Sequence, residues 1–134
     1  MEILENVLSI EKMKYLQELG VNTGNASMTW MLYPYEEGKQ PELSLREWRT
    51  FKEPFRKEHC IPAFNLLDIL ELLPKEIKTG TDIYWITMYF SDNCWHICYS
   101  MSDEFDYYQE FLSYSLIDAS YEMLCWCVEE RLIP

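Results

Sequence analysis

The residues best suited to chemistry are Cys94, His96 and Cys98, which alternate along a β-prone segment. Alternate residues of a strand point to the same face of a sheet, so these three side chains should line up. Thiolate and imidazole are zinc ligands, but structural zinc sites pair ligands about two to four residues apart on turns, and a second such pair is missing. Cys125 and Cys127 cannot supply it, because residues two apart on a helix point about 200° away from each other around the helix axis. We therefore expect no metal, and interpret the three as a core sheet face of small thiols around a hydrogen-bonded histidine.

A cysteine nucleophile would need a base within hydrogen-bond reach and a third group that orients this base. His59 precedes Cys60 and His96 follows two residues after Cys94, but neither spacing specifies such a geometry. The chain has only four glycines, so it has no glycine-rich loop that could cradle a phosphate. We therefore predict no catalytic residue and no cofactor, and we expect a protein that is not an enzyme.

Composition indicates a folded domain. The chain has 134 residues, of which 49% are apolar and 16% aromatic, which is ample for one core, so we expect a single domain over 1–134. No apolar run reaches the roughly 18 residues of a membrane-spanning helix. Residues 1–6 are acidic and lack the basic start and apolar stretch of a signal peptide. The odd number of cysteines indicates reduced thiols, so we expect a cytoplasmic protein without membrane contact.

Hydrophobic patterns and turn residues predict the strands. A β-prone run at 27–33 ends at Pro34, which indicates a strand near an edge. Residues 82–90 and 94–101 predict an antiparallel hairpin, and a third pairing strand is predicted within 104–108. The predicted fold class is α+β, with a small antiparallel sheet made of this hairpin plus one or two further strands, and with helices packed mainly on one face.

Capping residues predict the helices. A side-chain oxygen at the N-cap accepts a hydrogen bond from a free N–H of the first turn, and a glycine after the last turn can take the left-handed conformation that stops the helix. We expect the last helix to lie across the hairpin sheet and to close the core. The predicted helices and their caps are 10–19 with Ser9 and Gly20, 45–52 with Ser44, 66–73 with Asn65, and 116–132 with Ser115.

The net charge is −12 and is unevenly distributed. Residues 1–40 carry −3, residues 41–60 carry +1 and residues 61–134 carry −10. Such a field repels nucleic-acid backbones and anionic membranes, so we expect neither as a partner, and it favours a basic protein. We expect the bases of 46–57 to pair with the acidic C-terminal half of the chain.

Two stretches combine aromatic with charged residues and could contact a partner. Segment 46–57 interleaves rings with five bases, and segment 103–110 interleaves rings with acids. Aromatic side chains are frequent anchors of protein interfaces, and they would mark one here if they were exposed together. The predicted partner surface consists of Trp48, Phe51, Phe55, Asp103, Glu104, Asp106, Tyr107 and Tyr108.

Several stretches outside 35–60 resemble a family of small uncharacterised proteins from Bacteroides-type bacteria and their phages or mobile elements. The resemblance implies a bacterial or phage origin, and it implies no activity and no site residue. The stretches are LSIEKM at 8–13, LQELGV at 16–21, ASM at 26–28, IPAF at 61–64, ILELLPKEI at 69–77, LIDA at 116–119 and LCWCVEE at 124–130.

Three functional hypotheses follow. The first is a non-enzymatic protein-interaction domain, an accessory product of a bacterium or its mobile elements, whose partner is basic. The second is an acidic DNA mimic that inhibits a DNA-binding protein, which requires the carboxylates of 103–130 to form one surface stripe. The third is a small-ligand binder or enzyme with a pocket between helix and sheet.

Overall fold

Residues 6–101 and 107–133 are described by a computed structural model, in which helices accompany two antiparallel sheets. The predicted α+β class is confirmed. The chain divides into unit 1, Met1–Asp68, and unit 2, Ile69–Pro134. The helices are α1 (Ile10–Glu18), α2 (Phe55–His59), α3 (Leu66–Leu72) and α4 (Leu116–Glu129), and a 3-10 turn spans Trp48–Thr50. The strands are β1 (Met28–Met31), β2 (Glu42–Ser44), β3 (Cys60–Ala63), β4 (Glu76–Thr79), β5 (Asp82–Ser91), β6 (Cys94–Ser100) and β7 (Tyr107–Ser113).

The first helix begins and ends where its capping residues predict. The Ser9 hydroxyl accepts a hydrogen bond from the Lys12 N–H at 3.3 Å. Gly20 has φ of 91°, the left-handed conformation that glycine adopts most readily after a helix. Met13 and Leu16 are buried on the inner side of α1, so its apolar stripe packs into the core of unit 1.

The strand predicted at 27–33 exists, but its predicted edge position is wrong. β1 is the central strand of a three-stranded sheet with the order β2-β1-β3, and it pairs antiparallel with both neighbours. The edge assignment rested on Pro34, which lacks a backbone N–H. Pro34 lies three residues beyond the last residue of β1, so it removes no hydrogen bond from the ladder.

The helix predicted at 45–52 is also wrong. Ser44 belongs to β2 and pairs with Thr29, and its hydroxyl accepts from the N–H of Arg46 at 3.2 Å. A capping box would require that hydroxyl to accept from Glu47 instead, three residues on. Sheet pairing therefore takes precedence over the local capping signal, and Pro54, just beyond the predicted helix, is the residue before α2.

A buried carboxylate connects β1 to the start of α3. Asp68 accepts hydrogen bonds from the N–H and the hydroxyl of Ser27, at 3.0 and 2.6 Å. It also accepts from the N–H of Asn65 at 3.0 Å, while the Asn65 side chain accepts from the Asp68 N–H at 2.9 Å. This reciprocal pair confirms Asn65 as the predicted cap of α3 and explains how a carboxylate can be buried.

We predict that Asp68→Ala lowers the free energy of unfolding by about 3 kcal/mol, because it leaves three donors of Ser27 and Asn65 without their acceptor. Glu71→Ala is the matched control, since Glu71 lies exposed on the same helix and should change stability by less than about 0.5 kcal/mol. Urea unfolding followed by circular dichroism measures both variants. Equal stabilities of the two variants would contradict this account of the Asp68 network.

The predicted hairpin is confirmed as β5 and β6, which form the centre of a four-stranded antiparallel sheet with the order β4-β5-β6-β7. Its two turn residues, Asp92 and Asn93, have φ of 54° and 62°, as a type I′ turn requires. The third strand predicted within 104–108 overlaps β7, which is described from Tyr107 to Ser113. Positions 104–106 lie outside the described residues.

Strand β4 and helix α4 complete unit 2. β4 was not predicted, because two β-branched residues, Ile77 and Thr79, in a run of only four are a weak strand signal. α4 packs against β6 and β7, which confirms the expectation that this helix lies across the sheet. In this packing the Tyr99 hydroxyl donates to the carbonyl oxygen of Pro74 at 2.7 Å and lies 3.9 Å from the Cys127 sulfur. Within 6–101 and 107–133, every helix falls short of the length and hydropathy needed to cross a bilayer.

The buried pair of Tyr99 and Cys127 predicts a loss of stability at high pH. Burial raises the pKa of the Tyr99 hydroxyl and raises that of the Cys127 thiol from 9.0 to about 11. The folded protein therefore retains protons that the unfolded chain releases above about pH 9, so the free energy of unfolding falls as pH rises. We predict that Tyr99→Phe flattens this fall between about pH 9 and 11.

Urea unfolding at intervals across that pH range measures the effect. Tyr114→Phe is the matched control, because it removes the same hydroxyl from a tyrosine that is exposed rather than buried. Parallel curves for the wild type and Tyr99→Phe would contradict the prediction.

Candidate interaction surfaces

Strand register separates the two faces of the four-stranded sheet. Ile97 and Tyr99 point toward α4, and we call this side the α4 face. Cys94, His96 and Cys98 point to the other side, which we call the histidine face. The prediction that these three share one face is confirmed. Cys98 is fully buried, whereas Cys94 and His96 are half-buried.

The histidine face holds a polar network across three strands. The imidazole of His96 stacks on the Tyr89 ring, with the centroids 4.5 Å apart and the planes at 6°. The Tyr89 hydroxyl donates to the Glu110 carboxylate at 3.0 Å and lies 3.1 Å from the Tyr107 hydroxyl. His96 Nε2 lies 3.3 Å from the carbonyl oxygen of Ser91, and its Nδ1 lies 3.6 Å from Glu110. The network therefore braces β5, β6 and β7 against one another.

The protonation states of the Tyr89 hydroxyl and the Cys98 thiol on this face suit a structural role. The hydrogen bond to Tyr107, burial and the nearby Glu110 carboxylate together raise the pKa of the Tyr89 hydroxyl, which favours its protonated form. Burial likewise raises the pKa of the Cys98 thiol, the opposite of what activates a nucleophile. In the part of the chain that the structure describes, no three histidine, cysteine or acidic side chains are placed to hold a metal ion.

The predicted surface in unit 1 forms a ladder of rings and cations. The Arg56 guanidinium lies 4.2 Å from the centre of the Trp48 ring, and that of Arg46 lies 4.4 Å from the Phe51 ring. Phe55 continues the ladder, with its centroid 6.2 Å from Phe51. Contacts of this kind stabilise the segment internally, and they occupy ring faces that a partner would otherwise use.

Exposure divides these three aromatic residues. Phe51 is buried, Trp48 is half-buried, and Phe55 keeps 46% of its surface exposed. Two of the bases form ion pairs within their own segment, since Arg49 pairs with Glu47 at 2.7 Å and Arg56 pairs with Glu53 at 2.9 Å. The expected pairing of the bases with the acidic C-terminal half stays a prediction.

The predicted surface in the second stretch is split by strand geometry. Tyr107 lies in the network of the histidine face, whereas Tyr108 lies on the α4 face, with its ring 5.1 Å from Tyr84 and 5.8 Å from Trp126. Tyr108 is 43% exposed. The remaining members of that prediction, Asp103, Glu104 and Asp106, lie outside the described residues.

Sequence reasoning missed an exposed apolar cluster at the end of the sheet near the β5–β6 turn. Antiparallel pairing brings the end of β5, the start of β6 and the end of β7 to this same end. The sequence of β5 could have indicated this cluster, because β5 carries apolar residues on both of its faces. A strand of this kind is usually covered on both faces. α4 packs instead on β6 and β7. This hairpin-end cluster consists of the exposed Met88 and Phe90 together with the half-buried Trp95, which share the α4 face.

The described carboxylates of unit 2 do not form one stripe. Glu110 points to the histidine face, where it accepts a hydrogen bond from Tyr89. Glu122 lies exposed on α4, which packs on the opposite side of the sheet. The stripe that a DNA mimic requires therefore does not include both of these acids.

No known protein family, no curated protein and no solved structure matches this chain. Function is therefore inferred from the surfaces of the molecule themselves.

We predict that iodoacetamide modifies Cys94 in the folded protein at about pH 8 at least about tenfold faster than any other cysteine. Cys94 is the half-buried thiol, whereas the other four are buried, and burial raises the pKa of Cys60, Cys98 and Cys127. Peptide mass spectrometry after timed labelling measures the rates. Cys94→Ser should abolish the fast phase, and rapid labelling of Cys98 would show that the histidine face is more open than described.

Proposed function

We propose that this protein is a non-enzymatic interaction domain that binds a protein partner through the hairpin-end cluster. The observation that carries the proposal is the exposure of large apolar side chains together at one end of a sheet. Phe90 is 57% exposed and Met88 is 40% exposed on the same face of the sheet. Single exposed apolar residues are common on soluble proteins, whereas a group of them is typical of a binding surface.

The internal geometry of the cluster suits an interface. Phe90 and Trp95 meet edge to face, with their centroids 5.3 Å apart, so the two rings hold each other in a fixed arrangement. Rigid aromatic anchors lose little conformational entropy on binding, and such residues dominate the energetics of many interfaces. Phe90 is the more exposed of the two and is therefore the anchor that a partner pocket would enclose.

Charge supports a basic partner for this cluster. Residues 61–134 carry −10, and unit 2 contributes most of this stretch. A partner with a basic rim would be steered to unit 2 and would meet complementary charge around the apolar contact. Phe55 in unit 1, from the surface predicted by sequence, is a second proposed contact, because it is the most exposed ring of the ladder in that unit.

The resemblance to small proteins of Bacteroides-type bacteria and their mobile elements directs the search for this partner. We propose an accessory role in such a cell, in which binding, rather than a chemical reaction, is the function. The structural role of the polar network and the raised thiol pKa values support this view.

The proposal predicts that Phe90→Ser weakens binding of the partner by about 2 kcal/mol, which is about thirtyfold in affinity. The side chain is mostly solvated, so this variant should keep its stability within about 1 kcal/mol of the wild type. Tyr35→Ser is the matched control, because Tyr35 is an exposed ring in unit 1 and its removal should leave binding unchanged. Affinity capture from a Bacteroides-type lysate, followed by titration of the captured protein, measures both variants.

Recovery of no protein above the level captured by an unrelated domain of equal charge would contradict the proposed function. A partner that binds Phe90→Ser with wild-type affinity, but that loses binding to Phe55→Ser, would move the interface to unit 1.

A further inference from the structure

We infer that strand β7 is the edge to which an extended, basic segment of a partner protein adds as a further strand of the sheet. This inference rests on the proposed interaction function and specifies how the partner is held. Strand addition uses backbone hydrogen bonds for affinity and side-chain contacts for selectivity, so it needs a free edge of sufficient length.

The two edges of the four-stranded sheet differ in their protection. β7 spans seven residues without a lysine, an arginine or a proline, and it pairs with β6 on one side. The opposite edge, β4, has only four residues, includes Lys78 and follows Pro74 and Lys75. Short length, lysine and proline are the usual devices that prevent an edge from pairing with another chain. β7 lacks all three and is therefore the edge open to pairing.

Register identifies the backbone groups of β7 that face outward. Ser91 and Cys94 close a two-residue hairpin turn, so even-numbered residues of β6 bond to β5 and odd-numbered residues bond to β7. The partners of those odd-numbered residues are Gln109, Phe111 and Ser113, which leaves Glu110 and Leu112 directed away from β6.

One side-chain contact supports this assignment independently. The Glu110 N–H donates to the side-chain oxygen of Gln109 at 2.9 Å, so this group is satisfied on the outer side of the strand. The Leu112 N–H is then the outward donor that an added strand would bind. A local side-chain bond such as that of Gln109 is weak enough to be replaced when a strand adds.

Side chains beside the edge offer apolar contact on both faces. Tyr108 is exposed on the α4 face, and Leu112 is exposed on the histidine face next to its pairing partner His96. An added strand points alternate side chains to the two faces, so it can cover Tyr108 with one residue and Leu112 with another.

Charge selects a basic segment as the occupant. Glu110 lies within β7, and Asp103, Glu104 and Asp106 precede it directly in the sequence. The negative charge of this part of the sequence attracts lysine or arginine on an added strand, whereas a second copy of this chain would bring another charge of −12 and would be repelled.

The experiment uses the full-length protein labelled with nitrogen-15 and a peptide of about seven residues that alternates lysine and valine. We expect the amide of Leu112 to exchange with deuterium about tenfold more slowly when the peptide is saturating. The amide of Phe111 should change little, because it already bonds to β6. A peptide that alternates glutamate and valine is the control for charge and should not bind.

Two variants test the edge itself. Leu112→Pro removes the outward N–H without removing a bond to β6, and it should weaken peptide binding by about tenfold. Leu112→Thr retains the N–H and the β-prone backbone, and it should bind within about threefold of the wild type. Unchanged spectra of β4, β5 and β6 verify that the proline variant remains folded.

Each other outcome overturns the inference. Peptide binding that shifts Phe90 and Trp95 but does not slow Leu112 exchange rejects strand addition, and it leaves the proposed function intact. Equal binding of the acidic peptide, or no binding of either peptide, rejects a basic strand as the occupant. Slowed Leu112 exchange that depends on protein concentration alone identifies a second copy. The proposed function fails separately, when no partner is captured.

Discussion

The register of the β5–β6 hairpin is the constraint on which the rest of unit 2 depends. Asp92 and Asn93 both adopt left-handed φ values, and asparagine and aspartate tolerate these better than most residues. A two-residue turn fixes which positions pair, and a shift by one residue would exchange the two faces of every strand. The turn therefore directs Tyr99 toward α4 and His96 toward the polar network.

One helix and four strands cannot cover all of the apolar surface that these strands carry. α4 packs on β6 and β7, and the ring of Tyr99 is held there by its bond to Pro74. The far residues of β5 remain solvated, although they are as apolar as those in the core. The outer edge of β7 adds unpaired backbone groups beside this surface. Surface that folding leaves uncovered in this way is available for association with another protein.

Sequence patterns predicted the elements whose signals are local. α1, α3 and α4 each begin at a serine or asparagine whose side chain caps the first turn, as predicted, and the hairpin follows from two β-prone runs around a turn. β4 and the short strands beside β1 could not be predicted, because partners elsewhere in the chain define them. The aromatic residues of the candidate surface were recognised by type, but their exposure depends on what packs against them.

The sequence by itself determined the fold class, the helix starts, the hairpin and the alignment of Cys94, His96 and Cys98, because each depends on neighbours in the chain or on strand periodicity. Only the tertiary structure decided that Ser44 joins a sheet rather than capping a helix, since its pairing with Thr29 outweighs a local hydrogen bond. It also decided which aromatic residues are exposed. Burial is a property of contacts between distant segments, and composition does not specify them.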